Sequence, residues 1–441
     1  MKIALTIGGS DCSGGAGIQA DLKSFFVARV HGASIVTCIT AQNTREIKDI
    51  YPLPLKEIEL QIDAIMEDFD IGATKTGMVY SKEIAKMIAK KMKGFPLVVD
   101  PVFLSTTGYS LSSESLIDGL KNYLIPSSFL LTPNKKEAEI ICGKKIENAR
   151  DAKDACIAMH EMGARNVLLK GGHMEGDATD FLFANEKFYS FTLPRIKKEI
   201  HGSGCTLSAF ITAFLAKGDD IIQAVKKAKG CTWSSIAKSI NPGKGVSIIF
   251  PTSKHVPIIN GEKTKIWFSL QSAIDELISF LPLSYIPEVG INFGYAFPNA
   301  TESKQICAIE GRIIKAGNKA FQAGECKFGA SKHIASIILA CMENDKTKRA
   351  AMNISYSPKI VEACKQAGLT VGNFSRKDEP PGKSTMEWGT KFVIDSLGYV
   401  PDVIWDEGGI GKEAMVRIIG ENPRNVIEKL RKICRAEKRV K

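Results

Sequence analysis

The sequence predicts an α/β protein: a first domain on a mostly parallel central sheet, followed by a second, smaller α/β domain. Three observations predict it. Residues 95–102, 129–131 and 166–170 form apolar runs without polar alternation, as strands covered on both faces do. Such runs meet glycine or proline turns that lead into apolar residues at helical spacing. Finally, 441 residues exceed what one hydrophobic core holds.

Composition narrows the function classes. Hydrophobic residues make up 44% and charged residues 24%, and no apolar run nears the length that spans a bilayer, so no membrane partner is expected. The N-terminal run meets Gly8 and Gly9 at once and lacks the apolar stretch and cleavage site of a signal peptide, which implies the cytoplasm. Eleven cysteines without a Cys-x-x-Cys pair read as packed thiols in a reducing compartment, not as a disulfide frame or zinc site. The net charge is +11, with 32 basic and 27 acidic side chains in residues 1–255 and 27 and 21 in residues 256–441. That even spread, without a helix-turn-helix or RNA-binding signature, points to small anionic substrates and not to nucleic acid. The basic tail from Lys429 to Lys441 reads as a solvated helix face.

Taken in order, a first strand over residues 3–7 runs into a glycine-rich turn, residues 8–17, and a helix bearing Asp21. Its spacing does not match the dinucleotide fingerprint. A second strand ends at Gln42 and a third region at Lys75-Thr76-Gly77-Met78. Ligands of parallel sheets bind beyond the carboxyl ends of strands, so Gln42 and Met78 fall at the expected site edge. The next strand closes on Asp100, a candidate magnesium ligand. A further strand meets a proline turn with Asn134 and Glu137, oxygen donors able to hold hydrated Mg²⁺. Another strand ends in Lys170, placed for nucleotide phosphates, within Lys170-Gly171-Gly172-His173. Any one of these is equally a plain strand end.

The central stretch is His201-Gly202-Ser203-Gly204-Cys205-Thr206, which precedes a helical run through Leu207, Phe210, Ile211 and Phe214. Glycines let amide groups approach an anion, and the helix N-terminus adds partial positive charge there. In that first turn Cys205 is expected to have a pKa lowered toward neutrality and to take a proton from an attacking hydroxyl, which suggests phosphoryl transfer to an alcohol. The same hexapeptide also fits a simple tight turn with a small buried thiol.

Two prolines in residues 250–257 break the helical pattern before a fresh run with Ile274, Leu277 and Leu281. This places domains at 1–250 and 262–441 with a linker at 251–261. The second domain mixes β-rich runs, 305–314 and 350–356, with helical runs, 331–342 and 358–367. Gly311-Arg312, the run Gly329 to His333 and the run Trp405 to Glu413 offer the cations and helix start that a diphosphate requires.

Eight blocks in order carry a resemblance: Gly9-Ser10-Asp11, Gly14 to Asp21, Gln42-Asn43-Thr44, Lys75 to Met78, Val99 to Val102, Thr132 to Ala138, Lys170 to His173 and Gly202 to Thr206. Residues 1 to about 250 thereby resemble the hydroxymethylpyrimidine/phosphomethylpyrimidine kinases of the three-layer, ribokinase-like superfamily. The cysteine of Gly-Ser-Gly-Cys sets this family apart from most relatives, which have aspartate there. The resemblance implies that Gln42, Asp21, Gly9, Met78 and Val102 hold the pyrimidine, and that Cys205 is the base for its hydroxymethyl group. Gly202 and Gly204 would form the anion hole, with Lys170, Asn134, Glu137 and Thr206 toward ATP and Asp100 with Glu137 toward Mg²⁺. The run Asn241 to Gly245 is leaner in glycine than the family's.

Gly290-Ile291-Asn292, Pro298-Asn299-Ala300, Gly311-Arg312, Phe328 to His333, Thr385 to Gly389 and Gly408 to Glu413 are similar to the archaeal-type thiamine-phosphate synthase domain. That resemblance makes Arg312 and His333 the active-site candidates, binding phosphates and assisting pyrophosphate departure. It implies one polypeptide acting on hydroxymethylpyrimidine, its phosphate and thiazole phosphate; a homo-oligomer is expected. Two other readings are a pyridoxal-type kinase, which the Gln42 to Met78 pocket disfavours, and a second domain that only senses thiamine phosphate.

Overall fold

The apolar runs of the first half form the centre of a nine-stranded sheet. A computed structural model describes residues 1–102, 114–171, 176–252, 256–258, 262–380, 385–409 and 411–439; Gly172, His173, Ile410 and much of the linker lie outside the described residues. The chain divides into two compact units, Met1–Asn260 and Gly261–Lys441.

In the first unit the strands are β1 (Ile3–Asp11), β2 (His31–Gln42), β3 (Ile47–Pro52), β4 (Ile71–Thr76), β5 (Leu97–Val99), β6 (Leu130–Leu131), β7 (Val167–Leu169), β8 (Ala178–Ala184) and β9 (Lys187–Leu193). Their spatial order is β3-β2-β1-β4-β5-β6-β7-β8-β9. From β2 through β7 every pair is parallel, and antiparallel strands flank that centre at both ends. Strand order reverses at β1, between β2 and β4, which is where an open parallel sheet forms its ligand crevice. There the β1/β2 register shifts between Gly8 and Ser10, a bulge at the site edge.

Helices cover both faces, giving three layers. On one face α2 (Leu55–Asp68), α3 (Lys82–Lys91), α4 (Glu114–Gly119), α5 (Ile125–Ser127), α6 (Lys135–Cys142) and α7 (Ala149–Glu161) bury Ile58, Ile88, Leu116, Ile125, Ile141 and Met159 against Leu5, Ile35, Val99 and Leu131. On the other, α1 (Gly17–Val27), α8 (Ser203–Ala216) and α9 (Ile221–Ala237) bury Phe25, Phe210 and Val225 against Ala4, Ala73, Val98 and Leu168. Fully burying one such side chain contributes roughly 1.5–3 kcal/mol. The short strands β10 (Ile200–His201) and β11 (Ser247–Ile248) pair just before α8. The run that closes this unit wraps a loop: Gly245 N–H donates to Thr44 Oγ1 at 3.0 Å, and a Cβ on Gly243 would lie 2.6 Å from the same oxygen.

The second unit holds α10 (Glu262–Phe280), β12 (Phe293–Ala296), β13 (Ile306–Ile309), β14 (Arg312–Ala316), β15 (Lys319–Ala323), β16 (Cys326–Phe328), α11 (Lys332–Asn344), β17 (Ala350–Ser355), α12 (Pro358–Gln366), β18 (Val371–Asn373), α13 (Thr385–Leu397), β19 (Val403–Asp406), β20 (Met415–Gly420) and α14 (Pro423–Glu437). Its seven-stranded sheet, β16-β13-β12-β17-β20-β19-β18, is antiparallel except for β18/β19, and β14 and β15 form a separate hairpin. Helices α11 and α13 bury Ile338, Cys341 and Val393 against Ala351 and Ile419. The tail helix α14 corrects one expectation: Lys429 does not stand in solvent but is buried, its ammonium donating to Asp402 Oδ1 and Ile419 O, both at 2.6 Å.

Candidate active site

Beyond the carboxyl ends of β1, β2, β4 and β7 lies a cavity of about 880 Å³, within the usual range for ligand pockets of roughly 300–1,000 Å³. Gly9, Gln42, Met78, Val102, Lys170 and Cys205, picked out on six separated stretches of sequence, all line it. So do Asp21, Asp100, Asn134, Glu137, Gly202 and Gly204. Thr206 does not. It is fully buried with its hydroxyl unpartnered, because the second helical residue after Gly204 turns from the cavity into the interior.

The anion-binding end is built by α8. Gly202 is its N-cap with φ of +89°, and a Cβ there would lie 1.9 Å from Gly15 O, so only glycine closes this turn. A Cβ on Gly204 would stand 3.3 Å from Lys170 Nζ, which places the ammonium over the first turn of α8. Lys170 also donates to Asp100 Oδ1 at 2.7 Å and lies 3.8 Å from Glu137 Oε2. Ser208 holds the other Asp100 oxygen at 3.1 Å. Burial by itself would favour protonating Asp100, but Lys170 and Lys75 outweigh it and hold its carboxyl below the usual range. Burial pushes Glu137 up to about 7 despite Lys170, and Asp100 adds to the rise. Asn134 and Glu137 are also spent locally, because each bonds the other's backbone amide in a capping box on α6.

Cys205 departs from expectation. Burial raises its thiol to about 11, against the pull of Lys75, and Asp100 and Asp21 push the same way, so the helix terminus does not bring it to neutrality. The thiol still faces the cavity, with the Gly17 amide directed at it.

Asp21 is a second correction. Its carboxylate is buried and already takes Lys75 Nζ at 2.9 and 2.8 Å and Thr6 Oγ1 at 2.7 Å. It is therefore the counter-ion of Lys75, with little hydrogen-bonding capacity left for a ring. Lys75 is the residue sequence reasoning passed over: burial disfavours its charge, but Asp21 and then Cys205 and Asp100 outweigh that and keep it protonated. The signal was a lysine next to last in a strand of otherwise small and uncharged residues, Ile71–Thr76, at the centre of the sheet, where a cation needs a partner. Also missed was Lys229, which lines the cavity and meets Asp180 Oδ2 at 2.8 Å.

At the ring-binding end, a Cβ on Gly9 would lie 2.9 Å from Cys38 Sγ and 3.4 Å from Met78 Sδ, so the glycine lets the sulfurs approach the backbone. Gln42 is held from both sides: Thr40 Oγ1 donates to Oε1 at 3.2 Å, and the amide nitrogen lies 2.9 Å from His201 Nε2.

In the second unit the structure does not seat Arg312 and His333 side by side. Arg312 follows the carboxyl end of β13. His333, exposed on α11, follows β16, whose last residue, Phe328, pairs with Cys307 near the other end of β13. What the fold does organise is Arg312. Asn292 Nδ2 donates to Ile309 O at 2.9 Å and Gly311 O at 3.1 Å, Asn353 Oδ1 accepts from the Asn292 amide at 2.8 Å, and a Cβ on Gly290 would lie 2.8 Å from Arg312 Cβ. The run after Trp405 is spent internally: buried Asp406 bonds Arg417 Nη2 at 2.6 Å and Arg376 Nε at 2.5 Å, and Lys412 meets Glu379 at 3.1 Å. Among the described residues no group of three metal-ligating side chains converges, and no helix is long and apolar enough to cross a membrane.

Comparison with known proteins agrees with this division. Residues 11–249 match the phosphomethylpyrimidine kinase family model and residues 269–432 the thiamine-phosphate synthase ThiN model. The chain is 37% identical over 432 residues to the bifunctional thiamine biosynthesis protein ThiDN of Methanocaldococcus jannaschii, covering 97% of both. It is 42% identical over 248 residues to the hydroxymethylpyrimidine/phosphomethylpyrimidine kinase of Bacillus subtilis, covering 55% of this chain and 92% of that one. Among solved structures, a Staphylococcus aureus pyridoxal kinase in complex with pyridoxal is 31% identical, with a TM-score of 0.53, covering 58% of this chain and 94% of that one. Because one relative matches both units in order over nearly its whole length, the chain belongs to the phosphomethylpyrimidine kinase family, among its bifunctional members that join kinase and thiamine-phosphate synthase in one polypeptide for thiamine biosynthesis.

Proposed function

We propose that residues 1–250 phosphorylate 4-amino-5-hydroxymethyl-2-methylpyrimidine twice with ATP, and that residues 262–441 couple the diphosphate to thiazole phosphate. The observation that carries the kinase reading is Cys205 facing the cavity beside a helix start overlain by Lys170. In the first step the hydroxymethyl oxygen attacks the γ-phosphorus, the new O–P bond forms as the bond to ADP breaks, and the hydroxyl proton passes to the Cys205 thiolate. Lys75 is the cation that favours that thiolate. The first-turn amides of α8 and Lys170 receive the charge on the transferring oxygens. In the second step a phosphate oxygen attacks, and no base is required.

Asp100 and Glu137 are the carboxylates that would hold Mg²⁺: both line the cavity, and their oxygens lie 2.7 and 3.8 Å from the Lys170 ammonium, where the ATP phosphates would arrive. When bound, Mg²⁺ supplies charge neutralisation for the ATP phosphates. In the second unit the thiazole nitrogen attacks the pyrimidine methylene, a C–N bond forms, the C–O bond breaks and pyrophosphate leaves. Arg312, held by the Asn292 clasp, and His333 bind phosphate groups.

We place the enzyme in the cytoplasm as a homo-oligomer; the exposed cross-strand pair Ile39 and Tyr51 at the β2/β3 sheet edge supports self-association, and light scattering tests it. Incubating the protein with ATP, Mg²⁺, the pyrimidine alcohol and thiazole phosphate should yield thiamine phosphate. Accumulation of unused pyrimidine diphosphate would instead make the second unit a sensor.

A further inference from the structure

His201 is buried, belongs to no step above, and sits between two cavity groups. Its Nε2 lies 3.3 Å from Asp11 Oδ2 and 2.9 Å from the Gln42 amide. Gly15 makes the ring's position possible, since a Cβ there would lie 2.8 Å from His201 Cδ2.

Asp11 decides what Nε2 carries. Burial opposes its ionisation, and the backbone amides of Ser13 and Ala16, one on each oxygen, favour the charged form whatever the imidazole does. Its oxygens accept from Ser13 N at 2.9 Å and Ala16 N at 2.8 Å. An ionised carboxylate has only lone pairs to offer, so the facing Nε2 carries hydrogen. A nitrogen that carries hydrogen has no lone pair for the Gln42 NH₂, so the carboxamide turns its oxygen toward the imidazole, sharing the N–H with Asp11, and its NH₂ toward Thr40 Oγ1, which can accept as well as donate. The sideways bonds of the amide are thereby used, and its forward edge, one acceptor beside one donor, faces the cavity in a set order: oxygen on the His201 side, NH₂ on the Thr40 side.

We infer that His201, with Asp11 behind it, is a positioning residue that fixes the donor–acceptor order of Gln42 and so selects rings with an amino group beside a ring nitrogen. Pyridoxal, aligned by the hydroxymethyl group that is phosphorylated, puts its formyl oxygen in the amino position and so meets an oxygen with an oxygen. The inference rests on the reading of Gln42 as the contact to the pyrimidine.

The test compares kcat and KM for the pyrimidine alcohol and for pyridoxal in the wild type, His201→Phe and His201→Asn. His201→Phe keeps a planar ring and loses the donor. It should raise KM for the pyrimidine about tenfold or more, leave kcat within about threefold, and lower the pyrimidine-to-pyridoxal ratio of kcat/KM at least tenfold. His201→Asn, which retains an N–H donor, should recover most of that ratio. An unchanged ratio in folded His201→Phe, or an equal loss of kcat for both substrates, overturns the inference. Should that variant fail to fold, the imidazole nitrogen shifts of ¹⁵N-labelled wild-type protein decide: hydrogen on Nε2 is expected, and a bare Nε2 overturns it. Gln42→Ala separates the two levels. If it leaves the pyrimidine KM unchanged, the reading of Gln42 fails; if it raises KM while His201→Phe leaves the ratio alone, only this inference fails.

Discussion

Lys75 donates to both carboxylate oxygens of Asp21, at 2.9 and 2.8 Å, with neither side chain reaching solvent. Removing one partner strands a buried charge, at a cost of about 3–5 kcal/mol. Lys75→Met and Asp21→Leu should each lower the melting temperature by several degrees, and the double variant should recover most of it. Phosphorylation of the alcohol should stay lost in the double variant, because the cation beside Cys205 is gone. Recovery of that activity along with stability, measured by calorimetry and coupled ADP release, would reduce the pair to a structural one.

Cys205→Ser should slow the first phosphorylation on the order of 10²-fold or more while sparing the second, which needs no base. The comparison is the rate on the pyrimidine alcohol against the rate on its monophosphate, and equal losses would remove the thiol from the base role.

The pH dependence follows from the direction of the thiol's shift. Burial pushes Cys205 to about 11, so below that pH the protonated form dominates. In the wild type, kcat/KM for the alcohol should rise about tenfold per unit between pH 7 and 9, and for the monophosphate it should stay nearly level. A plateau reached below pH 8 would mean the thiol ionises easily in the working enzyme.

Gly202 and Gly204, two positions apart at the start of α8, should fail differently. Gly202→Ala forces a side chain onto a positive φ and into Gly15 O at 1.9 Å, so the folded state itself should suffer. Gly204→Ala meets only the movable end of Lys170 at 3.3 Å, so it should keep the melting temperature within a few degrees and raise KM for ATP severalfold. Thermal melts and steady-state kinetics on both variants check this.

Arg312→Ala should abolish thiamine phosphate formation and leave ADP production intact, since the two residue sets belong to separate units. Asn292→Ala removes two hydrogen bonds to the strand end that carries Arg312 and should lower the same activity in part. Loss of kinase activity in either variant would contradict the division of labour.

The parts of the cavity legible in the sequence were those that local chemistry dictates. Glycine-rich turns, apolar runs ending in a polar residue and a helix opening on Gly-Ser-Gly-Cys each announce a strand end or a helix start, and Gly9, Gln42, Met78, Asp100, Lys170 and Cys205 are read off those signals. In the second unit, elements were legible at 350–356, 331–342 and 358–367, whereas the mutual position of Arg312 and His333 was not.

The order of elements, the two-unit division and the residue types at each strand end are therefore properties of the linear chain, because backbone preference and hydrophobic period act over a few residues. Tertiary structure decided which side chains are already spent. Asp21 lies 54 positions from Lys75 and His201 lies 159 from Gln42, and only the sheet brings each pair within hydrogen-bonding range. Burial then sets charge and thiol acidity by what else is excluded from water, a quantity that depends on every neighbouring element at once and on no single stretch of sequence.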